Sequence, residues 1–276
     1  MNLAQPILLA DRFAPLLDRL LELLRGLSPE QWQAPTVCPG WSVHDLAVHL
    51  LGGDIGVLSR SRDGYTPGGA KIDDWDSLVA LINGLNAAWV GAARRVSPPL
   101  ACDLLRFTGA QVAAYYATLD PHALGGPVSW ASPEPAPVWL DLAREYTERW
   151  HHQQQIRDAV GAPALDDPFF LAPALAAFVH ALPQTFRASG APAGTAIALV
   201  IDGPAGGSWC VRRDADDWRL YQGAPADPAA LVKLGQEPAW RLFTRVIGPD
   251  QARGYATIAG DQRLGLRLLD TIAVIA

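Results

Sequence analysis

The segment CPGWSVHDLAVHL (residues 38–50) decides how the N-terminal half of the chain is interpreted. Its first four residues include proline and glycine, which break regular structure and predict a turn. Ser42 then has the side chain of a helix N-cap, and Asp45, three residues later, completes a short capping box. We therefore predict a helix that starts after Ser42 and runs to about residue 60. His49 lies on the leucine-bearing side of this helix, so its ring is expected to point toward the interior.

A second segment, REYTERWHHQQQIRDAVG (residues 144–161), belongs to a helix that we predict over residues 138–160. Glu148 and His152 are four positions apart, so on a helix they project from one face, one turn apart. If this helix faces the one that carries His49, two histidines and one glutamate meet. Such a set suits zinc and leaves a fourth coordination position open for water or substrate.

Spacing alone leaves other interpretations open. A glutamate and a histidine at this spacing are more common on a solvated or salt-bridged helix face than at a metal site. His49 taken by itself is more often a buried structural histidine. His151 and Glu145 are rival ligands, because each lies close to Glu148 or His152 on the same predicted helix.

Apolar periodicity predicts helices in the first half of the chain and short strands in the second. Before residue 165, further helices are predicted over residues 8–27, 76–96 and 100–119, and loops over 61–74 and 120–137. After it, we predict a helix over 171–188, strands over 195–201, 208–213, 218–223 and 230–234, and helices over 237–247 and 261–275. A shift in composition near residue 165 therefore predicts a multidomain protein, with an α domain over 1–165 and a small α/β domain over 166–276.

Composition argues against several classes of protein. The 276 residues are 50% hydrophobic, and the net charge of -6 provides no positive field for nucleic acid. We find no signal peptide and no uninterrupted apolar run that approaches the roughly 20 residues of a membrane helix, so we predict a cytoplasmic protein without a membrane span.

The chain has three cysteines, which are far apart in the sequence: Cys38, Cys102 and Cys210. An odd number at such spacing predicts neither a disulfide framework nor a paired metal motif. For Cys38 we expect a structural role in its turn.

The quoted segments resemble the mycothiol-dependent maleylpyruvate isomerase family, whose N-terminal domain belongs to the wider DinB-like superfamily. Residues 38–50 are similar to the second helix of that domain, LINGLNAAWVGAARRV (81–96) to its third helix, and residues 144–161 to its last helix. The resemblance covers about residues 8–162 and implies an up-down four-helix bundle. The C-terminal part, which ends in YATIAGDQRLGLRLLDTIAVIA, resembles more weakly the family's small α/β domain, which is related to sterol-carrier-like folds.

Carried over by motif, the metal ligands of the family fall on His49, Glu148 and His152, which singles out His152 over His151. The resemblance implies two cofactors: a divalent metal, for which this ligand set favours zinc, and a low-molecular-weight thiol, which in the family is mycothiol. The sequence departs from the family beside these ligands. Gln155 stands where many members have an aspartate, and His151 stands where an apolar residue is more usual.

The resemblance implies an isomerase or a thiol S-transferase that acts on a small electrophile. A free thiol has a pKa near about 8.5, and coordination to a metal removes its proton. The thiolate can then add to a cis-alkene diacid, the former double bond can rotate as a single bond, and elimination of the thiolate returns the trans isomer. Arg241 and Arg245, four apart in a predicted helix, are candidates to bind an anionic substrate, with ordinary surface charge as the alternative. The second hypothesis is a non-catalytic metal-binding protein whose C-terminal domain binds a small apolar ligand. The oligomeric state is not indicated.

Overall fold

A computed structural model describes residues 1–66, 74–215 and 217–274 of the chain. Its helices are α1 Phe13–Arg25, α2 Pro29–Trp32, α3 Val43–Gly56, α4 Trp75–Ala93, α5 Pro98–Tyr116, α6 Val138–Val160, α7 Pro168–Phe178, α8 Leu182–Phe186, α9 Gln236–Phe243, α10 Pro249–Arg253 and α11 Gln262–Leu268. Its strands are β1 Asn2–Leu3, β2 Leu124–Pro127, β3 Pro135–Pro137, β4 Ala196–Asp202, β5 Gly207–Asp214, β6 Asp217–Gln222, β7 Ala230–Gly235 and β8 Thr257–Gly260. The prediction of a helical N-terminal region followed by an α/β domain is confirmed. Residues 67–73 of the predicted loop and residue 275 of the last predicted helix lie outside the described residues.

Contacts within the chain define two units. We call them the helical unit (residues 9–120 and 148–165) and the sheet unit (residues 1–8, 121–147 and 166–276). Helix α6 starts in the sheet unit and continues into the helical unit, of which Glu148 is the first residue on that helix. The assignment of residues 1–165 and 166–276 to two separate domains stays a prediction.

Local sequence explains where α3 and α6 begin and end. The predicted capping box of α3 is confirmed, because the backbone N–H of Asp45 donates to Ser42 Oγ and the N–H of Ser42 donates to Asp45 Oδ2. Helix α6 begins directly after β3 and ends before Gly161, whose φ of 66° lies in the left-handed region that favours glycine. All three predicted ligands therefore lie within regular helix, His49 on α3 and Glu148 and His152 on α6.

The core of the helical unit is formed by apolar side chains of α1, α2, α3 and α5, together with the later turns of α6. Its buried members are Leu20, Leu21, Leu24, Trp32, Val43, Leu46, Ala47, Leu50, Leu51, Cys102, Leu105 and Ile156. Cys38 and Trp41, from the turn before α3, pack against this cluster. The turn is therefore held in place by the core, which matters for the site described below.

The sheet unit is built on a six-stranded sheet with the strand order β1-β6-β5-β4-β7-β8. Neighbouring strands run antiparallel except for β4 and β7, which are parallel. The central strand β4 has the sequence AIALVID and is almost fully buried, as expected for a strand that is paired on both sides. A glycine is required at Gly206 in the turn between β4 and β5, since a Cβ there would lie 1.9 Å from the Ile201 carbonyl oxygen.

Two predicted helices are too long. The helix predicted over 237–247 ends at Phe243, because Arg245 adopts a left-handed φ of 61°, through which a right-handed helix cannot continue. The prediction that Arg241 and Arg245 lie four apart on one helix is therefore wrong, since only Arg241 belongs to α9. The helix predicted over 261–275 ends at Leu268, where the hydroxyl of Thr271 donates to the last carbonyl of the helix.

The remaining differences are short elements and one interruption that the sequence did not predict. The loop predicted over 120–137 contains the two-stranded pair β2–β3. The helix predicted over 171–188 is interrupted by a 3-10 turn between α7 and α8. Strands β1 and β8 and helix α10 were not predicted. Strand β1 has only two residues and pairs with β6 through Asn2 and Gln222, so nothing local in the sequence indicates it.

Among the described residues, one helical stretch, Pro168–Phe186, is long and apolar enough to cross a membrane, with a mean hydropathy of 1.4. It consists of α7, the 3-10 turn and α8. Within its most apolar window, 56% of the residues are buried inside the protein. The core helix of a soluble protein has the same properties, so this stretch is weak support for a membrane span.

Candidate metal centre

Three side chains of the helical unit meet at one point. The carboxylate oxygen Oε1 of Glu148 lies 3.1 Å from His49 Nε2 and 3.0 Å from His152 Nε2. The three ligand atoms all lie within 4.8 Å of one another. Among the residues that the structure describes, no second group of three histidine, cysteine or acidic side chains converges in this way. The structure therefore brings together the three residues that the sequence predicted as ligands.

The two helices bring these groups together by different means. Glu148 and His152 lie one turn apart on α6, as their spacing of four requires. His49 lies in the second half of α3 and reaches them across the helical unit. The side chains of His49 and His152 are 11% and 10% exposed, whereas that of Glu148 is 37% exposed. The cluster is thus largely enclosed but retains one accessible side at the carboxylate.

The ligand set fits a tetrahedral divalent ion. Ligands about 2.1 Å from zinc in a tetrahedral arrangement lie about 3.4 Å from each other. The two nitrogen–oxygen separations of 3.1 and 3.0 Å are only a few tenths of an ångström shorter, so small side-chain shifts would admit an ion. Two imidazoles and one carboxylate supply three protein ligands, which leaves the fourth position open, as in catalytic zinc sites.

The electrostatics of the cluster also suit a cation. Burial raises the pKa of Glu148, but the charge on His152 and the hydrogen bonds from both histidines outweigh it and hold this pKa well below the usual value. Burial lowers the pKa of His152, but the carboxylate of Glu148, assisted by Cys38, raises it to about 10. The site thus keeps an ionised carboxylate and places a proton on His152 where an ion would bind, so metal and protons compete for it.

A second layer of side chains surrounds His152 and His49. Gln155 Oε1 lies 2.7 Å from His152 Nδ1, the ring nitrogen that faces away from the carboxylate. The thiol of Cys38 donates to the same Gln155 oxygen at 3.4 Å. The ring of Trp41 lies against the ring of His49, with a centroid separation of 5.1 Å. Gln155 was noted in the sequence only as a departure from the family, and its contact with Cys38 was not foreseen.

The rival ligands are also accounted for. His151 is buried, and its ring lies beside that of His152 with centroids 4.1 Å apart, but it is not part of the converging group. Glu145 forms an ion pair with Arg144 at 2.6 Å and is not part of the group either. Geometry thus separates His152 from His151, which the spacing of residues could not do.

The two candidate substrate residues lie in the sheet unit. Arg241 forms an ion pair with Glu237, and its guanidinium lies over the ring of Trp240 at 4.4 Å from the centroid. Arg245 follows the end of α9 in a left-handed backbone conformation. Whether either arginine binds substrate stays a prediction.

Known proteins resemble this chain in sequence pattern and in fold. The family model named mycothiol maleylpyruvate isomerase N-terminal domain matches residues 13–157. The crystal structure of a histidine-to-alanine mutant of the mycothiol-dependent maleylpyruvate isomerase is similar with a TM-score of 0.53 and 15% identity, over 91% of this chain and 90% of that chain. A crystal structure of the mycothiol-dependent maleylpyruvate isomerase is similar with a TM-score of 0.51 and 17% identity, over 86% and 87% of the two chains. At these identities the likeness shows the fold.

A shorter structural match covers about a third of the chain. The crystal structure of Sterol Carrier Protein 2 Like 2 from Aedes aegypti matches 34% of this chain and 93% of its own, with 20% identity and a TM-score of only 0.28. The sterol-carrier-like character of the C-terminal domain therefore stays a prediction. No curated protein matches the chain.

Proposed function

The chain belongs to the mycothiol maleylpyruvate isomerase N-terminal domain family, and from this premise we propose that it is a metal-dependent enzyme that uses a low-molecular-weight thiol. The proposed reaction is a cis–trans isomerisation of a maleylpyruvate-like diacid or the transfer of the thiol to another small electrophile. The proposed metal is zinc, the proposed thiol is mycothiol, and the proposed location is the cytoplasm, where thiols are kept reduced.

The observation that carries this proposal is the convergence of His49, Glu148 and His152 on one point with an accessible side. A bound zinc ion would lower the pKa of a thiol that reaches its fourth position and hold the sulfur there as a thiolate. The protein then needs no nucleophilic side chain of its own.

The residues of the chain have distinct roles in this proposal. His49 and His152 each provide Nε2, and Glu148 provides an oxygen and the negative charge that offsets part of the charge of the ion. Trp41 covers one side of His49, which restricts the approach to the accessible side of the carboxylate. Arg241 is proposed to bind a carboxylate of the substrate. Its present partner, Glu237, has the same chemistry as such a carboxylate and could be exchanged for it.

The first experiment is metal analysis of the purified protein and of His49→Ala, with His122→Ala as the matched control. His122 is an exposed histidine outside the converging group, so its loss should leave the metal content unchanged. We expect a single divalent ion in the wild type and in His122→Ala, and loss of that ion in His49→Ala. A wild-type protein that binds no divalent ion at micromolar concentrations would overturn the proposal.

The second experiment tests the thiol. The metal-loaded protein is assayed with a cis-alkene diacid and with other small electrophiles, in the presence of mycothiol, glutathione, cysteine or no thiol. We expect turnover only with a thiol and only in variants that retain the metal. Turnover that is independent of any thiol would overturn the proposed thiol dependence and leave only the metal site of the proposal standing. Arg241→Ala should raise KM for the diacid without changing the metal content.

A further inference from the structure

We propose that Gln155 is a positioning residue of the metal centre. Its side-chain carbonyl fixes the ring of His152 so that Nε2 presents its lone pair to the ion, and the thiol of Cys38 fixes the orientation of the Gln155 amide in turn. This inference rests on the proposed metal site. It assigns a role to a buried glutamine and to a cysteine that the proposed reaction does not otherwise use.

The contact between Gln155 and His152 decides which ring nitrogen is available to a metal. A neutral imidazole carries one N–H, and the nitrogen that binds an ion must be the one without it. Gln155 Oε1 lies 2.7 Å from Nδ1 and can only accept, so it requires the proton on Nδ1. Without an ion, Nε2 also carries a proton and donates to Glu148 Oε1 at 3.0 Å; when an ion replaces that proton, the lone pair is on Nε2, the nitrogen that belongs to the converging group. Such a partner on the far nitrogen commonly orients metal-binding histidines.

The amide of Gln155 could in principle turn its NH₂ toward the ring, and Cys38 opposes this. The Cys38 thiol donates to the same Oε1 at 3.4 Å, and a carbonyl oxygen can accept two hydrogen bonds. A flipped amide would place its NH₂ against two donors, the Nδ1–H of a metal-bound His152 and the S–H of Cys38. Both neighbours therefore favour the orientation in which the oxygen faces them.

Cys38 is itself held by the turn that precedes α3. The hydroxyl of Thr36 donates to the Trp41 carbonyl at 2.8 Å and accepts from the backbone N–H of Cys38 at 3.2 Å. The backbone N–H of Trp41 donates to the Cys38 carbonyl at 3.0 Å. The turn thus positions the Cys38 thiol. The thiol in turn orients the Gln155 amide, and the amide orients the ring of His152.

The test compares three variants on α6 for their metal affinity. Gln155→Leu removes the acceptor at similar size, and Gln155→Glu keeps an acceptor and adds a negative charge. Gln154→Leu is the matched control, because Gln154 is an equally buried amide that accepts from the Leu165 N–H and lies outside the converging group. We expect Gln155→Leu to weaken zinc binding by about 10- to 100-fold, as loss of such partners does elsewhere. Gln155→Glu should bind at least as tightly as the wild type, and folded Gln154→Leu should match it.

A spectroscopic measurement separates positioning from loss of stability. In the zinc-loaded, ¹⁵N-labelled wild type, the Nδ1–H of His152 should give a downfield imidazole resonance that exchanges slowly with solvent. Gln155→Leu should broaden or lose this resonance, and Gln155→Glu should retain it. Cys38→Ala should weaken zinc binding by a few fold, and Cys38→Ser, which keeps a donor, should restore it.

The outcomes distinguish this inference from the proposed function. Zinc binding by the wild type, with equal affinity and an unchanged N–H resonance in Gln155→Leu, would overturn the positioning role and leave the proposed function standing. The same would follow if folded Gln154→Leu lost as much affinity as Gln155→Leu. A wild type that does not bind zinc would overturn the proposed function, and the positioning role with it.

Discussion

Glu148 Oε1 lies 3.1 Å from His49 Nε2, and this contact joins two residues that are 99 positions apart in the chain. It connects the second half of α3 to the middle of α6, so the two helices cannot shift along each other without breaking the candidate metal centre. The same carboxylate oxygen also contacts His152. Changes at this point should therefore affect metal binding and the stability of the helical unit together.

The first prediction concerns the link between metal and stability. A ligand that binds only the folded state stabilises it by about 2.7 kcal/mol when its concentration is about 100-fold above Kd. We expect zinc to raise the Tm of the wild type and of His122→Ala, and EDTA to reverse the rise. Thermal unfolding of His49→Ala should be insensitive to both additions. An equal rise in His49→Ala would mean that zinc stabilises the protein elsewhere.

The second prediction concerns the buried ion pair next to the ligands. Arg149 Nη2 donates to Asp54 Oδ1 at 2.9 Å, and the other oxygen of Asp54 accepts from Thr108 at 3.0 Å. The Arg149 and Asp54 side chains are 15% and 5% exposed. Arg149→Met leaves a buried carboxylate without its cation, so we expect a loss of about 3–5 kcal/mol in the free energy of unfolding, measured with urea.

The double variant Asp54→Leu with Arg149→Met serves as the companion test. Removal of both charges should recover most of the loss, because the cost comes from the unpaired charge rather than from the absence of the pair. Arg19→Met is the surface control. Arg19 pairs with Glu22 at a site where both side chains are more than half exposed, so the change should stay within about 0.5 kcal/mol. A double variant as unstable as Arg149→Met would contradict the explanation.

The helical unit was largely predictable because its determinants are local. The capping box of Ser42 and Asp45 involves residues three apart, and the bounds of α6 follow from Pro137 before it and Gly161 after it. The edges of the sheet were not predictable in the same way. Strand β1 pairs with residues some 220 positions away, and two residues are too few to show an alternating pattern.

In the candidate site, too, the local relationships were predictable from the sequence and the long-range contacts were not. Helix geometry alone makes Glu148 and His152 neighbours, and the family motif was needed to choose His152 over His151. The contact between Cys38 and Gln155 spans 117 positions and starts from an irregular turn, where no periodicity indicates which way a side chain points. Only the structure gave this outer part of the site.

The third prediction concerns Asp45 at the start of α3. Burial raises the pKa of Asp45, but hydrogen bonds from Arg94 and Ser42 outweigh it and lower this pKa below its usual value. The folded state therefore gains stability from the ionised carboxylate, and loses it as the pH falls through the lowered pKa. Asp45→Asn should cost about 1–2 kcal/mol at neutral pH, since Arg94 is itself more than half exposed.

The control for this prediction is Asp11→Asn at an exposed carboxylate. It should change the free energy of unfolding by less than about 0.5 kcal/mol. The difference between the wild type and Asp45→Asn should be constant near neutral pH and shrink below about pH 4, where the unfolded wild type binds a proton at Asp45 before the folded protein does. A difference that persists undiminished in acid would show that the charge of Asp45 contributes nothing.

The fourth prediction concerns His180 in the sheet unit. Burial lowers its pKa from 6.5 to about 4, and its ring packs against Trp139 with centroids 5.1 Å apart. Between these two pH values the unfolded chain binds a proton at this residue and the folded protein does not. Stability should therefore fall as the pH drops from 6.5 toward 4, by no more than about 3 kcal/mol.

His180→Phe keeps an aromatic ring against Trp139 and removes the titrating group. Because other groups also make stability depend on pH, the informative quantity is the difference in the free energy of unfolding between the two proteins, measured with urea at several pH values. The free energy of unfolding of the variant, relative to that of the wild type, should rise steadily as the pH falls from 6.5 to about 4. Below about pH 4 this difference should level off. Below that value both the folded and the unfolded wild type carry the proton, so no further divergence can arise. A difference that does not vary with pH would mean that His180 is protonated equally in both states, and that its burial does not affect the charge.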